Sequence, residues 1–165
     1  MSITTKALLL VGGLMGGAMA VQAANGEADM TFHGTLFDPP PCSVNNDRDI
    51  EVDFGDVMTT RIDGTAYQMP VAYTLSCTAG VPNTMKLQVQ GTGASFDSNV
   101  LKTNKTGLGI KLQQGTNKSA LAINTWLNFT YPNKPALWAV PVKQSGATLN
   151  GGEFTATATL RVDYQ

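Results

Sequence analysis

The amino-acid sequence predicts an all-β fold built as one sandwich-like domain. Beyond residue 24 no stretch keeps a helical period, and short runs of alternating apolar and polar residues recur instead. Clusters of Gly, Asn, Pro and Asp separate these runs, as turns separate strands. With 165 residues, a single domain is the expected size. The predicted strands are residues 50–54, 71–77, 85–90, 108–113, 121–129, 137–142 and 154–164.

Composition excludes two classes of function. The chain carries 11 basic and 12 acidic side chains, and no cluster of Lys and Arg gives it the electrostatic footprint of a nucleic-acid-binding protein. One histidine and two cysteines are too few ligands for a Cys/His zinc site or a blue-copper centre. We therefore expect no cofactor, no metal and no nucleic-acid partner.

The first residues predict a secretory signal peptide. Lys6 gives a positive start, residues 7–21 form an uncharged and largely apolar run, and Val21-Gln22-Ala23 has the small-x-small pattern of a cleavage site. A membrane anchor is the alternative, but the 15-residue run is shorter than the roughly 20 residues that span a bilayer. We assign residues 1–23 to the signal peptide, with cleavage after Ala20 or Ala24 as alternatives.

Export changes what the two cysteines predict. In an oxidising compartment Cys42 and Cys77 are expected to form one disulfide, although two buried free thiols remain the alternative. In the chain-entropy model, closing a loop of this length stabilises the fold by roughly 3–4 kcal/mol.

The last predicted strand alternates without a break. Its even-numbered residues are apolar and its odd-numbered residues are polar from 154 to 164, which indicates a strand with one face on the core. Glycines just before it, including Gly152, supply a turn. An ordinary terminal strand of a sandwich would explain the same pattern. The apolar set is Phe154, Ala156, Ala158, Leu160, Val162 and Tyr164.

Residues 24–41 form a second region with strand-like alternation. Ala28, Met30, Phe32, Gly34 and Leu36 share one parity. Three consecutive prolines, ending just before Cys42, cannot join a sheet ladder and separate this segment from the domain. An apolar-faced, β-prone tail held away from its domain needs a partner to avoid aggregation. A disordered tail and an additional first strand are the alternatives.

Taken together, these features resemble the pilin subunits of chaperone–usher fimbriae, of the P-pilus and type 1 pilus kind. The resemblance covers nearly the whole chain. It consists of the signal peptide, Phe32-His-Gly34-x-Leu36 in the extension, the Pro-Cys42 step, Val52-Asp-Phe54-Gly55, the second cysteine Cys77, Gly152 as the fourteenth residue from the C-terminus, and the penultimate aromatic Tyr164.

The resemblance implies an incomplete immunoglobulin-like β-sandwich, residues 42–165, that lacks its final strand. It implies that the extension, residues 24–41, donates a strand to a preceding subunit, with Gly34 marking the register. The terminal strand, from Gly152 to Gln165, would form one wall of the open groove, and the carboxylate of Gln165 would be anchored by basic residues of the chaperone.

The same resemblance names the partners. They are a periplasmic pilus chaperone that lends a strand, an outer-membrane usher where strands are exchanged, and neighbouring pilin subunits. Any contact with a host receptor would be indirect, through a tip adhesin. The protein is expected to be exported through the periplasm into a fimbrium on the bacterial surface.

An enzyme and a carbohydrate-binding module are the alternatives to a pilin subunit. An enzyme would need a nucleophile–base pair, but the single His33 lies in the extension and no G-x-S-x-G occurs. A small secreted carbohydrate-binding adhesin module is the stronger alternative, because Trp126, Tyr131 and Trp138 could form an aromatic surface. We expect no catalysis and a structural subunit, of which a minor tip or adaptor pilin involved in cell adhesion is the favoured subtype.

Overall fold

The computed structural model describes residues 28–36, 42–78 and 83–165. The chain divides into two units, which meet in the sequence between Leu36 and Phe37. In the larger unit eleven strands are described: β1 (Cys42–Val44), β2 (Met69–Val71), β3 (Leu75–Cys77), β4 (Thr84–Gly91), β5 (Gly93–Ala94), β6 (Asp97–Lys102), β7 (Leu108–Gln114), β8 (Ser119–Leu121), β9 (Leu127–Thr130), β10 (Leu137–Lys143) and β11 (Ala158–Tyr164).

The fold is all-β, as predicted, and its strands form three antiparallel sheets. The largest has the strand order β2-β10-β7-β6-β5, with β8 also paired to β7. A three-stranded sheet has the order β11-β4-β9, and β1 pairs with β3. Within the described residues the helical elements are two 3₁₀ turns, Asn45–Asp47 and Thr59–Arg61. None of the helical segments described could cross a lipid bilayer.

One hydrophobic core joins the two larger sheets. Leu87 and Val89 reach it from β4, and Ile110 and Leu112 reach it from β7. Alternate residues of a strand point to opposite faces, so each sheet contributes one apolar face to this core. Its buried members are Tyr73, Leu87, Val89, Leu101, Ile110, Leu112, Leu121, Ile123, Leu137 and Ala139.

The predicted disulfide is present in the structure. Cys42 of β1 is bonded to Cys77 of β3, and the two residues are also opposite partners in the β1–β3 ladder. The bond therefore holds the two strands of this sheet together through residues that are 35 positions apart in the sequence.

Two of the predicted strands are each divided in the structure. Residues 71–77 change sheets between β2 and β3, and the buried ring of Tyr73 fills the gap while its hydroxyl donates to the carbonyl of Pro135 at 2.6 Å. Residues 121–129 are divided between β8 and β9 at Asn124, whose backbone adopts a positive φ of 61°. Neither break interrupts the apolar pattern, which is why alternation alone did not reveal it.

Strand β6 was missed. It begins with three polar residues, Asp97-Ser-Asn99, and its apolar side chains Val100 and Leu101 are adjacent rather than alternating. Both are buried. A strand with apolar neighbours on both faces does not give a period-two signal.

The prediction that residues 50–54 form a hydrogen-bonded strand is wrong. The even-numbered residues Ile50, Val52 and Phe54 are half-buried and the odd-numbered ones are exposed, so the alternation is real. No ladder forms along it in the described part of the chain. The last predicted strand is shortened for a related reason, because its ladder begins at Ala158 and not at Phe154.

Candidate functional site

Strand β11 is an edge strand with one open side. It pairs with β4 along its whole length and, among the described strands, with no other. The amide of Gln165 donates to the carbonyl of Thr84 at 3.2 Å. Bonded and non-bonded pairs alternate along an antiparallel ladder, so the odd-numbered residues of β11 direct their main-chain groups at β4. The main-chain groups of Ala158, Leu160 and Val162 therefore point to the open side.

An apolar cleft lies beside this open strand. We call residues 50–54 the first wall and residues 154–160 the second wall. Both line one cavity of about 320 Å³. Half-buried Ile50, Val52 and Phe54 face it from the first wall, and core side chains from β4, β6, β7, β8 and β10 form its floor. From the second wall it is lined by Phe154, Thr155, Ala156, Ala158 and Leu160.

Contacts lie at both ends of the cleft, and at one of these ends they join the two walls. At one end the rings of Phe54 and Phe154 are 5.8 Å apart and tilted. At the other end Tyr164 lies beside the disulfide. Its hydroxyl donates to Cys42 Sγ at 3.2 Å, because a disulfide sulfur has no hydrogen to give. The aromatic pair therefore closes one end of the cleft, and Cys42 lines an extension of the cleft at the other end.

The start of the second wall is attached by the loop after β6 and not by a sheet ladder. The Asn104 amide donates to the Thr155 carbonyl at 3.0 Å, and the Thr155 amide donates to Asn104 Oδ1 at 2.9 Å. Lys105 Nζ donates to the Gly151 carbonyl. Buried Thr103 shapes this loop, since its hydroxyl accepts from the Lys105 amide. Asn104 thus acts as a substitute strand partner for one residue of the wall.

Gly152 lies in a turn that requires glycine. Its φ is +108°, a region that other residues rarely adopt, and an added Cβ would lie 3.0 Å from Lys105 Nζ. The turn brings the chain from this loop to the second wall. Of the other residues predicted for this wall, Leu160 and Val162 are half-buried against the core, while Ala156 and Ala158 are exposed and line the cleft.

Residues 28–36 are described separately from the domain. They belong to no helix or strand, and every one of them is exposed. The side chains of Met30, Phe32 and Leu36 are 74%, 84% and 103% exposed. Exposing three large apolar side chains on one parity of a short segment is costly in water, and it indicates a surface that is covered in another state.

The ionisable groups of the described residues form no catalytic arrangement. Hydrogen bonds from the backbone amides of Ala66 and Thr65 lower the pKa of Asp63 to about 2. The carboxylate therefore stabilises a turn. Burial raises the pKa of the Tyr73 hydroxyl. Among these residues no group of three or more His, Cys, Asp or Glu side chains could hold a metal ion.

The aromatic residues that could bind a glycan are spread over two sheets. Trp126 directly precedes β9 of the three-stranded sheet, and Lys86 Nζ lies 5.0 Å from the centre of its ring. Trp138 is part of β10 in the largest sheet, with Lys118 Nζ 4.5 Å from its ring centre. Each ring has its own cationic neighbour.

Sequence reasoning missed the other half of the cleft. It identified the second wall but gave no role to Ile50, Val52 and Phe54, although their alternation was read as a strand. Their alternation was the available signal, whereas the missing ladder along residues 50–54 is visible only in the folded chain. Asn104 gave no such signal, because a single asparagine in a turn is common.

An all-β domain with an open edge strand beside an apolar cleft is typical of proteins that bind an extended segment by strand addition. The comparisons agree with this class. The family model for fimbrial proteins matches residues 30–165. The chain belongs to this family, that of the chaperone–usher fimbrial proteins.

Among relatives, the uncharacterized fimbrial-like protein YfcR of Escherichia coli (strain K12) is 38% identical, over 90% of this chain and 87% of that protein. The fimbrial adapter PapF of Escherichia coli is 30% identical, over 76% of this chain and 81% of that protein. Of the solved structures, the P pilus adaptor subunit PapF gives a TM-score of 0.58 at 30% identity, covering 77% of this chain and 98% of that one.

The P pilus rod subunit PapA has the same fold, with a TM-score of 0.58 at 24% identity, over 83% of this chain and all of that one. Family membership makes this chain a fimbrial subunit. It is a structural protein and not an enzyme.

Proposed function

We propose that this chain is a minor tip or adaptor pilin, polymerised by donor-strand exchange and contributing to cell adhesion through the fimbrium it joins. Its domain, residues 42–165, is an immunoglobulin-like sandwich that lacks its final strand. Residues 1–23 are the export signal. Residues 24–41 are the extension that completes the preceding subunit.

The open cleft supports this proposal more than any other observation. The free main-chain groups of Ala158, Leu160 and Val162 lie beside an apolar floor, so an incoming strand would gain both a ladder and a place for its side chains. The first wall, which has the alternation of a strand but no ladder partner among the described strands, would gain one.

The extension has the complementary chemistry. Burying Met30, Phe32 or Leu36 is worth roughly 1.5–3 kcal/mol for each side chain. Each main-chain hydrogen bond to the cleft adds about 1 kcal/mol net. The ordering of the tail opposes these gains, so a cleft that is already formed favours the exchange. Gly34 would allow close backbone approach and so fix the register.

The order of partners follows from the same cleft. A periplasmic chaperone covers it first, with basic residues on the carboxylate of Gln165, and the extension of the next subunit replaces that strand at the outer-membrane usher. Neighbouring pilins are then the lasting partners, on the bacterial surface. The adaptor subtype is supported by the likeness to PapF, which is named an adaptor and is alike in both sequence and structure.

The proposal is tested by filling the cleft without disturbing the core. Ala158→Arg places a long side chain at an exposed position that lines the cavity. The matched control is Thr159→Arg, next to it on the same strand, since Thr159 is also exposed but does not line the apolar cavity. Each variant is co-expressed in the periplasm with a pilus chaperone, and the one-to-one complex is purified.

We expect Ala158→Arg to lose the complex at least tenfold relative to Thr159→Arg, because a charged side chain would have to be buried for a strand to enter. Equal recovery of the complex by the two variants would contradict the assignment of the cleft as the strand-binding site.

A further inference from the structure

The apolar cleft is bordered by carboxylates. Along the first wall the apolar side chains face the cavity, while Asp49, Glu51 and Asp53 are exposed on the outward parity. At one end, Asp47, Arg48 and Asp49 line a polar extension of the cleft together with residues 156–160, so that two carboxylates face one guanidinium there. At the other end, Asp53 and Asp56 line a second extension. Both ends of the cleft are therefore acidic.

Few charges compensate this border. Between Cys42 and Val57 the one basic residue is Arg48. At the end that holds Asp56, exposed Glu153, which precedes the second wall, adds a further carboxylate, and Lys105 Nζ at the Gly151 carbonyl adds one cation. Within the described residues the ion pair formed is Arg161–Asp163, which lies on β11 and involves none of these carboxylates. The carboxylates outnumber these cations, so a strand bound in the cleft would meet a net negative field along its solvent-facing side.

The extension of this same chain is acidic on the parity that would face that field. Its polar parity is Asp29, Thr31, His33 and Thr35, and Glu27 precedes it. Charge is segregated over the whole chain: residues 24–56 hold eight acidic side chains and one basic, while residues 57–165 hold nine basic and four acidic. The acidic part comprises the strand that would be donated and one wall of the cleft that would receive a strand.

Geometry places these like charges close together. A strand beside the first wall would lie about 4.8 Å from it. With its apolar parity facing the floor, its polar parity would lie on the same side as Asp49, Glu51 and Asp53. Like charges on neighbouring strands repel and are destabilising. The Debye length at physiological salt is about 8 Å, which is longer than this strand separation, so salt does not remove the repulsion. Because both ends are acidic, the direction of the strand does not change this result.

We propose that the acidic border makes the cleft charge-selective. It accepts an extended, alternating segment with Lys or Arg on its polar parity, and it disfavours the extension of a second copy of this chain. The inference rests on the proposed function of the cleft. It names the partner as a different subunit with a basic donor strand, so that this subunit follows and precedes other subunits and does not form long runs of itself.

The test compares three fluorescent peptides of residues 24–38 binding to the full chain as exported into the periplasm. The first peptide has the native sequence, the second carries Glu27→Lys and Asp29→Lys, and the third carries Phe32→Asp on the apolar parity. Binding is followed by fluorescence anisotropy at two ionic strengths. At ~10 mM the Debye length is about 30 Å and charges interact over long distances, whereas at ~1 M it is about 3 Å and they are screened. The protein is also made with Asp49→Lys and Glu51→Lys.

We expect the lysine peptide to bind about fivefold more tightly than the native one at low salt. The ratio should fall to about one at high salt and should invert for the Asp49→Lys, Glu51→Lys protein. Equal binding of the native and lysine peptides, with the Phe32→Asp peptide inactive, would overturn charge selection and leave the cleft function standing. Failure of all three peptides to bind would overturn the cleft function and the selection with it.

Discussion

At the residue scale, the cleft depends on small side chains at particular positions. Ala156 and Ala158 line the cleft with small side chains, and larger residues at these positions would fill the space above the core. Phe54 and Phe154 close one end with their rings 5.8 Å apart. The same strand that buries Leu160 and Val162 against the core therefore keeps the neighbouring positions open.

Gly34 is the residue of the extension whose proposed role is most specific. In the described structure an added Cβ at Gly34 has no heavy atom within 4 Å, so a larger side chain costs the free chain nothing. We expect Gly34→Leu to leave the melting temperature of the domain unchanged and to lower insertion into the preceding subunit at least tenfold. The measurement is incorporation of the chaperone-bound subunit into polymer, followed by gel electrophoresis.

The matched control for that change is Thr31→Leu, which adds a similar side chain on the polar parity of the same segment. It should insert nearly as fast as the native chain. Normal insertion by Gly34→Leu would contradict the register role of the glycine.

At the scale of elements, the second wall combines a laddered half with a tethered half. From Ala158 onward β11 is paired with β4, whereas the preceding residues depend on Asn104 and Lys105. The phenyl ring of Phe154 also packs against that of Phe54. The tethered half should therefore open before the rest of the domain does.

Asn104→Ala tests that tether. The variant loses the hydrogen bond that Asn104 Oδ1 accepts from the amide of exposed Thr155 and keeps the bond from its own main-chain amide. With a net value of about 0.5–1.5 kcal/mol for the lost bond, we expect the free energy of unfolding to fall by that amount. Hydrogen exchange at the Thr155 amide should become faster. Urea unfolding and exchange measurements check both. Thr106→Ala, at an exposed position of the same loop, should change neither, and an equal effect in both variants would contradict the tether.

The strand pattern was predictable where an apolar run is bounded by turn residues. Such runs identified β4, β7, β10 and β11 within one to four residues, although β7 and β10 bury consecutive residues and are therefore covered on both faces. The breaks at Tyr73 and Asn124 could not be predicted, since a chain that changes sheets keeps its apolar residues. The prediction of a ladder at the start of the second wall was wrong, because Asn104 occupies the position of the strand partner there.

The candidate site was predictable in part. Parity in the sequence identified the apolar set of the second wall and of the extension. It did not identify Ile50, Val52 and Phe54 as the facing wall, because a pairing between distant segments is a property of the folded chain. The acidic border was likewise hidden, since Asp49, Glu51 and Asp53 become a feature of the cleft only when their apolar neighbours face it.

At the scale of the whole molecule, an exposed apolar segment and an apolar cleft occur in one chain of a fimbrial family. Neither surface is stable alone in water, and each has the chemistry to cover a matching surface on another molecule. If the proposed strand exchange holds, the subunit is completed in the assembly, and its stability then belongs to the complex as much as to the chain.

The central claim, that the domain lacks one strand, is tested most directly by thermal unfolding of residues 39–165 with and without a tethered strand. A flexible linker at the C-terminus carries a copy of residues 24–38. Tethering raises the effective concentration to roughly millimolar, which outweighs a fewfold charge penalty. The control carries the same tether with Met30→Asp and Phe32→Asp.

We predict that the native tether raises the melting temperature by about 10 °C or more and abolishes aggregation, because it adds several kcal/mol of burial and hydrogen bonding. The control tether should leave both unchanged. A domain that is already stable and monomeric, with the same melting temperature in all three forms, would show that the sandwich is closed and would contradict the account.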